Sequence, residues 1–265
     1  MKDFVKLLGV RGSVPVSGPE FMRYGGATAC VELQLGSQHI LLDAGTGLQS
    51  FRAPQNGKPQ VILLSHLHLD HIIGLLTHTL LFQPTGPVYV LAPAGKLSLY
   101  QALDKLADNG LWPSVTEFIS PQAMIQKWPG PAQHFGGVFV ETMPGNHPGG
   151  TLIYKLTHMN KSIVYATDFE HSPDASARLA WFAGDCDLLL YDAQYSDEEY
   201  ERKRGWGHST WQEAVKIAQA CRAKKTVLIH HDPMHTDWQL DALGLELAQH
   251  MDTVHIGREG EVIEL

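Results

Sequence analysis

Hydrophobic positions in this chain fall first into short runs of strand length. Residues 4–10, 29–35, 40–43 and 61–65 are dominated by Val, Leu and Ile, and turn formers such as Gly25-Gly26 and Asn56-Gly57 separate them. That pattern predicts several strands before any helix. Residues 72–82 (IIGLLTHTLLF) switch to helical spacing; 88–92 then reads as a strand and 95–107 as an amphipathic helix. Residues 108–137, rich in Pro, Gly and Trp, read as an irregular inserted flap. Strand patterns resume at 138–143, 152–156 and 163–167, followed by a helix at 174–182 and a buried strand at 188–191. A helix over 210–223 is expected to start behind Ser209 as N-cap, with Glu213 three residues after Thr210. It leads to a strand at 226–230, a helix at 238–250 and a terminal hairpin over 254–265. Strand clusters in both halves, each followed by helices, predict two sheets covered by helices on their outer faces, as one domain over 1–265.

Composition narrows the function classes. Asp and Glu total 28 against 20 Lys and Arg, for a net charge of -8, and no Lys/Arg block occurs. Such a chain is poorly suited to holding a long nucleic acid, which needs many phosphates neutralised; a small anionic substrate remains admissible where the local charge is positive. No run approaches the roughly 20 apolar residues needed to cross a bilayer. Gly9, Arg11 and Gly12 interrupt the N-terminal apolar stretch too early for a signal peptide, so the expected compartment is the cytoplasm. Cys30, Cys186 and Cys221 form no CxxC pair and read as buried small hydrophobes. The 15 histidines stand out.

They concentrate in LLSHLHLDHIIGLL, where His66, His68, Asp70 and His71 follow an apolar strand and open a helix. Residues two apart in an extended segment point the same way, so His66 and His68 can face one metal ion. Where the chain turns, Asp70 and His71 are redirected and can face a second. Imidazole with carboxylate suits zinc, manganese or iron.

HLHLDH resembles the HxHxDH signature of the metallo-β-lactamase superfamily. The resemblance implies an α/β fold, a four-layer αββα sandwich, and further stations that the chain supplies in order: Asp43 in ILLDAGTG, His147 in ETMPGNHPGG, Asp168 in IVYATDFE and His230 in TVLIHHDP. It implies two divalent metal ions. His66, His68 and His147 would hold one, Asp70, His71 and His230 the other, with Asp168 and a hydroxide bridging them. Asp43 would orient the ligand loop by hydrogen bonds without touching metal. Adjacent strand residues face opposite ways, and His230 is preferred to His231 because it matches the strand-end Leu-x-His of related enzymes.

Two further motifs, GWGHSTWQEA and LLLYDAQYSDEEY, resemble the phosphodiesterase branch that includes ribonuclease Z. They imply a dyad in which Asp192 holds His208 while His208 protonates or hydrogen-bonds the phosphoryl or leaving oxygen. Asp192 stands where the branch has Glu, so its reach is one methylene shorter. Catalysis would then rest on His208, Asp192 and Asp70, with hydroxide attacking phosphorus. Ribonuclease Z grips RNA with a long basic arm, whereas residues 72–137 here offer Lys96, Lys105 and Lys127 without a cluster. The N-terminal segment and LIHHDPMH resemble bacterial cyclic-phosphate phosphodiesterase-like hydrolases. The expected substrate is therefore a small cyclic phosphodiester, a cyclic nucleotide or phosphoribosyl cyclic phosphate. The alternatives are hydrolysis of a carboxylic ester, lactone or thioester on the same metals, a tRNA-processing-like endonuclease, and a metal-binding protein without turnover. Arg11 and Ser13 are candidates to approach the phosphate, Ser13 equally a turn residue; Trp112, Phe118 and Trp128 either stack on a base or pin the flap. A homodimer is the commonest assembly for such an enzyme.

Overall fold

Alternation along the strands divides the hydrophobic side chains among three cores. The computed structural model describes residues 2–108, 110 and 112–265. The strands in chain order are β1 (Phe4–Gly9), β2 (Cys30–Leu35), β3 (Gln38–Leu42), β4 (Gln60–Leu63), β5 (Val88–Ala92), β6 (Ala123–Lys127), β7 (Ala132–Phe135), β8 (Val138–Gly145), β9 (Thr151–His158), β10 (Lys161–Ala166), β11 (Leu188–Asp192), β12 (Lys225–Ile229), β13 (Val254–Ile256) and β14 (Val262–Glu264). They form two seven-stranded sheets, β14-β1-β2-β3-β4-β5-β6 and β13-β12-β11-β10-β9-β8-β7. Ile40 and Leu42 of β3, Val61 and Leu63 of β4, Ile163 and Tyr165 of β10, and Val227 and Ile229 of β12 pack between the sheets. The intervening Leu41, Ile62, Val164 and Leu228 face outward into two helix-covered cores. The result is the α/β, four-layer αββα sandwich.

The helices are α1 (Leu69–Ile72), α2 (Thr79–Phe82), α3 (Leu99–Asp108), α4 (Pro173–Ala183), α5 (Asp197–Tyr200), α6 (Trp211–Cys221) and α7 (Asp237–His250). Among the described residues no helix is long and apolar enough to cross a membrane. The three cysteines are buried and free.

Four local expectations change. The helical pattern at 72–82 is divided into α1, a 3-10 turn at Ile73–Leu76 and α2. Gly74 packs so closely on the backbone of Ala44 and Gly45 that a Cβ there would collide, and His78 caps α2 by accepting from the Leu80 N–H. Residues 108–137 are not irregular throughout: β6 extends the first sheet beside β5 and β7 the second beside β8. Residues 254–265 form no hairpin, because β13 joins β12 while β14 crosses to pair with β1. At both crossings a free edge in each sheet accepts one strand. Finally, the N-cap of α6 is Thr210, whose hydroxyl accepts from the Glu213 N–H; the Ser209 hydroxyl is engaged with Tyr191 and His171.

In each sheet four consecutive strands run parallel, β3 to β6 and β10 to β13. Antiparallel pairing through β9 gives β8 the direction of β10, and pairing through β2 gives β1 the direction of β3. The carboxyl ends of β1, β3, β4, β8, β10, β11 and β12 therefore reach one end of the sandwich, the usual place for a ligand in open α/β sheets.

Candidate active site

Most candidate residues follow one of those strand ends: Asp43 after β3, His66 and His68 after β4 with Asp70 and His71 in α1 behind them, His147 after β8, Asp168 after β10, Asp192 closing β11 and His230 after β12, while His208 lies between α5 and α6. Asp43, Asp168 and His230, with Ser13 after β1, have positive φ between 50° and 62°. A left-handed residue at a strand end swings its side chain out of the sheet's alternation, a strained geometry typical of working sites.

The seven candidate ligands converge in two groups. Ligand atoms of His66, His68, His147 and Asp168 lie within 4.8 Å of one another, as do those of Asp70, His71 and His230. Asp168 joins the groups: its Oδ1 is 3.6 Å from His66 Nε2 and 3.8 Å from His147 Nε2, and its Oδ2 is 3.1 Å from His71 Nε2 and 3.4 Å from His230 Nε2.

Hydrogen bonds behind the imidazoles settle which nitrogen faces inward. His71 Nδ1 donates to Asp43 at 2.7 Å, His147 Nδ1 to the Gly207 carbonyl at 2.9 Å and His230 Nδ1 to Gln194 Oε1 at 3.1 Å. Ser65 donates its hydroxyl proton to Asp43, so it accepts from His66 Nδ1 at 3.0 Å. Each arrangement leaves Nε2 with its lone pair toward the cluster, the state a metal ligand needs. Nε2 of His66 and of His71 is buried without a hydrogen-bond partner, although His71 Nε2 lies within 3.2 Å of carboxylate oxygens of Asp70 and Asp168. His68 Nδ1 and His147 Nε2 face each other at 3.2 Å. Orphaned buried polar atoms are rare without reason, and bound metal would give His66 Nε2 and His71 Nε2 the partner they lack.

The electrostatics agree. Burial pushes the His66 imidazole well below its ordinary pKa. For His230 burial also favours the neutral form, but Asp168, Asp70 and Asp192 outweigh it and carry the pKa up to about 9. His71 moves up in the same way. Although burial alone would raise them, Asp70 and Asp168 are held well below the carboxylate range by His71 and His230. A field that draws a proton onto buried imidazoles draws a metal cation equally.

Beside this cluster His208 Nδ1 donates to Asp192 Oδ2 at 2.9 Å, and its ring stacks on His230 with centroids 4.9 Å apart. Asp192 also accepts from the Phe169 and Gln194 N–H groups. Its shorter side chain still reaches His208, whose Nδ1 is 4.0 Å from Asp168 Oδ1.

Asp43 is fully buried and accepts from the Ser65 N–H and hydroxyl, His71 and the Tyr165 hydroxyl. His231 turns away, bonded to the Gly257 carbonyl, and burial lowers its pKa to about 3. Arg11 departs from its expected role. Its guanidinium is fully buried and donates to the carbonyls of Gly25, Asp232 and His235, so it pins the loop after β12 and is closed off from solvent. Ser13 reaches the site by its backbone, its N–H donating to Asp70 Oδ2 at 2.8 Å. Trp128 is buried against Phe135 and Tyr154, which removes it from any base-stacking role; Trp112 packs partly buried on the first sheet's outer core, and Phe118 is exposed.

Sequence reasoning passed over Gln194, which bridges His230 and the Ser13 hydroxyl, and Glu170, which accepts from the Gly205 and Gly207 N–H groups and shapes the loop behind His147. Their spacing, two residues after Asp192 and two after Asp168, was the available signal. It also passed over Gly12, where a Cβ would stand 2.5 Å from His230 Nδ1.

Residues 38–231 match the model of a beta-lactamase superfamily domain. Ribonuclease Z of Myxococcus xanthus is 24% identical over 86% of this chain and 89% of its own. Among solved structures, the metallo-beta-lactamase fold protein YhfI from Bacillus subtilis covers all of both chains at TM-score 0.76 and 19% identity. A diphosphatase of the PhnP family covers 100% of this chain and 98% of its own at TM-score 0.70 and 20% identity.

Proposed function

The chain belongs to the beta-lactamase superfamily, and on that footing we propose that it is a metal-dependent hydrolase of phosphoric diesters whose substrate is a small cyclic diester. The observation that carries this reading is the convergence of seven side chains, scattered from His66 to His230, beside the His208–Asp192 pair. In the proposal His66, His68 and His147 hold one divalent ion and Asp70, His71 and His230 a second, with Asp168 shared. Zinc, manganese and iron all suit this donor set. Bound there, such ions make hydroxide available near neutral pH and neutralise charge growing on the phosphoryl oxygens.

The chain's own groups supply the rest. Asp43, Gln194, Ser65 and the Gly207 carbonyl hold four imidazoles in one tautomer, so little reorganisation is needed during reaction. His208, whose ring lies against His230 and is oriented by Asp192, would pass a proton to the departing oxygen. Opening a cyclic phosphate needs one such proton at the alkoxide released. The relative named ribonuclease Z supports phosphodiester chemistry and also favours a second reading, cleavage of RNA precursor ends. Against a long RNA stand the net charge of -8 and the scattered lysines of residues 72–137. The cytoplasm is the setting in which we expect it to work.

The test is hydrolysis of bis(p-nitrophenyl) phosphate, 2′,3′-cyclic nucleotides, phosphoribosyl cyclic phosphate and a short RNA by protein reconstituted with zinc or manganese. Turnover of the cyclic esters, lost by on the order of a hundredfold or more in His208→Ala with metal content unchanged, is the expected result. Acyl esters as the only substrates would overturn it.

A further inference from the structure

The loop entering the site carries an exposed tryptophan in a tightly held frame. Trp206 is 62% exposed. On either side of it the N–H groups of Gly205 and Gly207 donate to the same carboxylate, Glu170, at 2.6 and 2.9 Å, and its own N–H donates to the Lys203 carbonyl. Both flanking glycines have positive φ, 83° and 93°. Glu170 is in turn clamped to Asn146 by two backbone-carbonyl hydrogen bonds. The Gly207 carbonyl then accepts from His147, and His208 follows directly. Trp206 thus belongs to a braced loop, two residues from His208 in the chain.

Trp206 belongs to none of the three hydrophobic cores, which leaves its indole open to a ligand. Its surroundings narrow what it is for. The neighbouring cations are engaged with the protein itself: Lys203 contacts Asp232 at 2.8 Å and lies over the Tyr195 ring, while Arg204 pairs with Glu201 and covers Tyr200. Arg202 is exposed on the same loop. Two exposed apolar side chains also adjoin site residues in the chain: Val14 next to Ser13 and Leu69 between His68 and Asp70. The rim therefore offers apolar and π surface, while the ligand cluster is the place for an anion.

We propose that Trp206 is the stacking platform for the nucleobase of the substrate, so that the site takes nucleotide esters in preference to base-free sugar phosphates. The Gly207 carbonyl next to Trp206 holds His147 of the cluster, so a ligand bound at the cluster lies beside this loop. Stacking on an aromatic face is tolerant of base identity, which predicts base dependence with little discrimination among bases. The proposal rests on the phosphodiesterase reading for its chemistry but is tested by binding alone.

The experiment measures equilibrium binding of AMP and of ribose 5-phosphate to the zinc-reconstituted full chain by calorimetry. The two ligands share sugar and phosphate and differ by the base. The native protein is expected to bind AMP roughly tenfold more tightly. Trp206→Ala removes that preference while leaving ribose 5-phosphate affinity unchanged; Trp206→Phe retains most of it. Trp181→Ala, which removes another exposed tryptophan, leaves the preference intact. Equal binding of the two ligands by the native protein, a preference surviving Trp206→Ala, or one lost in Trp181→Ala would each overturn the proposal. Base preference without diester turnover would uphold the platform and sink the hydrolase reading; turnover without base preference would do the reverse.

Discussion

Asp43 Oδ2 stands 2.7 Å from Nδ1 of His71, and both residues are fully buried. The same carboxylate receives Ser65 and Tyr165, so one side chain ties the end of β3 to the ligand loop after β4 and to β10. Asp43→Asn replaces one acceptor oxygen with a donor and leaves buried donors unmatched. Metal affinity should fall by about 10- to 100-fold and stability by about 2 kcal/mol, read by competition with a chelator and by urea unfolding. Unchanged metal affinity would reduce Asp43 to a turn former.

Gly12 leaves no room for a side chain. A Cβ would meet His230 Nδ1 at 2.5 Å and Gln194 Oε1 at 3.0 Å. Gly12→Ala should displace His230 from its partner and cost on the order of a hundredfold in turnover with the fold retained, checked by kinetics beside circular dichroism. Full activity would show that His230 has freedom the structure does not suggest.

Arg11 is expected to act on stability and leave substrate affinity alone. Truncation to Met strips donors from three carbonyls, those of Gly25, Asp232 and His235. A loss of about 3 kcal/mol follows, visible as a lower denaturant midpoint with KM unchanged. A raised KM at unchanged stability would return Arg11 to the substrate.

Glu199 links the start of α5 to the loop after β12. Burial opposes its ionisation, but His235 and the Ser196 N–H outweigh burial and bring its pKa down to about 2 from 4.5. A carboxyl depressed on folding adds stability that is present above about pH 4.5 and is lost as pH falls toward 2. The side chain is 37% exposed, so solvent screening limits the effect to about 1 kcal/mol. Unfolding of the native protein and Glu199→Gln should differ by that amount at pH 6, with the gap narrowing below about pH 4.5 and closing only as the pH reaches about 2. A gap that stays constant with pH would exclude an ionic contribution.

Strand positions and the ligand loop from His66 to His71 were legible because both are short-range, whereas His147, Asp168 and His230 were placed by the family resemblance. Residues two apart on a strand share a face, which sufficed to place Ile40 with Leu42 in the central core and His66 with His68 toward one point. Alternation required only that one of His230 and His231 face the cluster; the resemblance to the strand-end Leu-x-His of related enzymes selected His230, and His231 does face the other way. What spacing could not carry was partnership over long separations. Residues 254–265 look like a hairpin, yet two different sheets each had an edge to fill, and β13 and β14 separate to fill them. Arg11 looked like a phosphate ligand until burial and three carbonyls claimed it. Residue identity and period determine which side chains can face a common point. Only packing decides which backbone atoms, such as the Gly207 carbonyl behind His147 or the Ser13 N–H on Asp70, stand beside them, because a backbone group looks the same in every residue until the chain around it is folded.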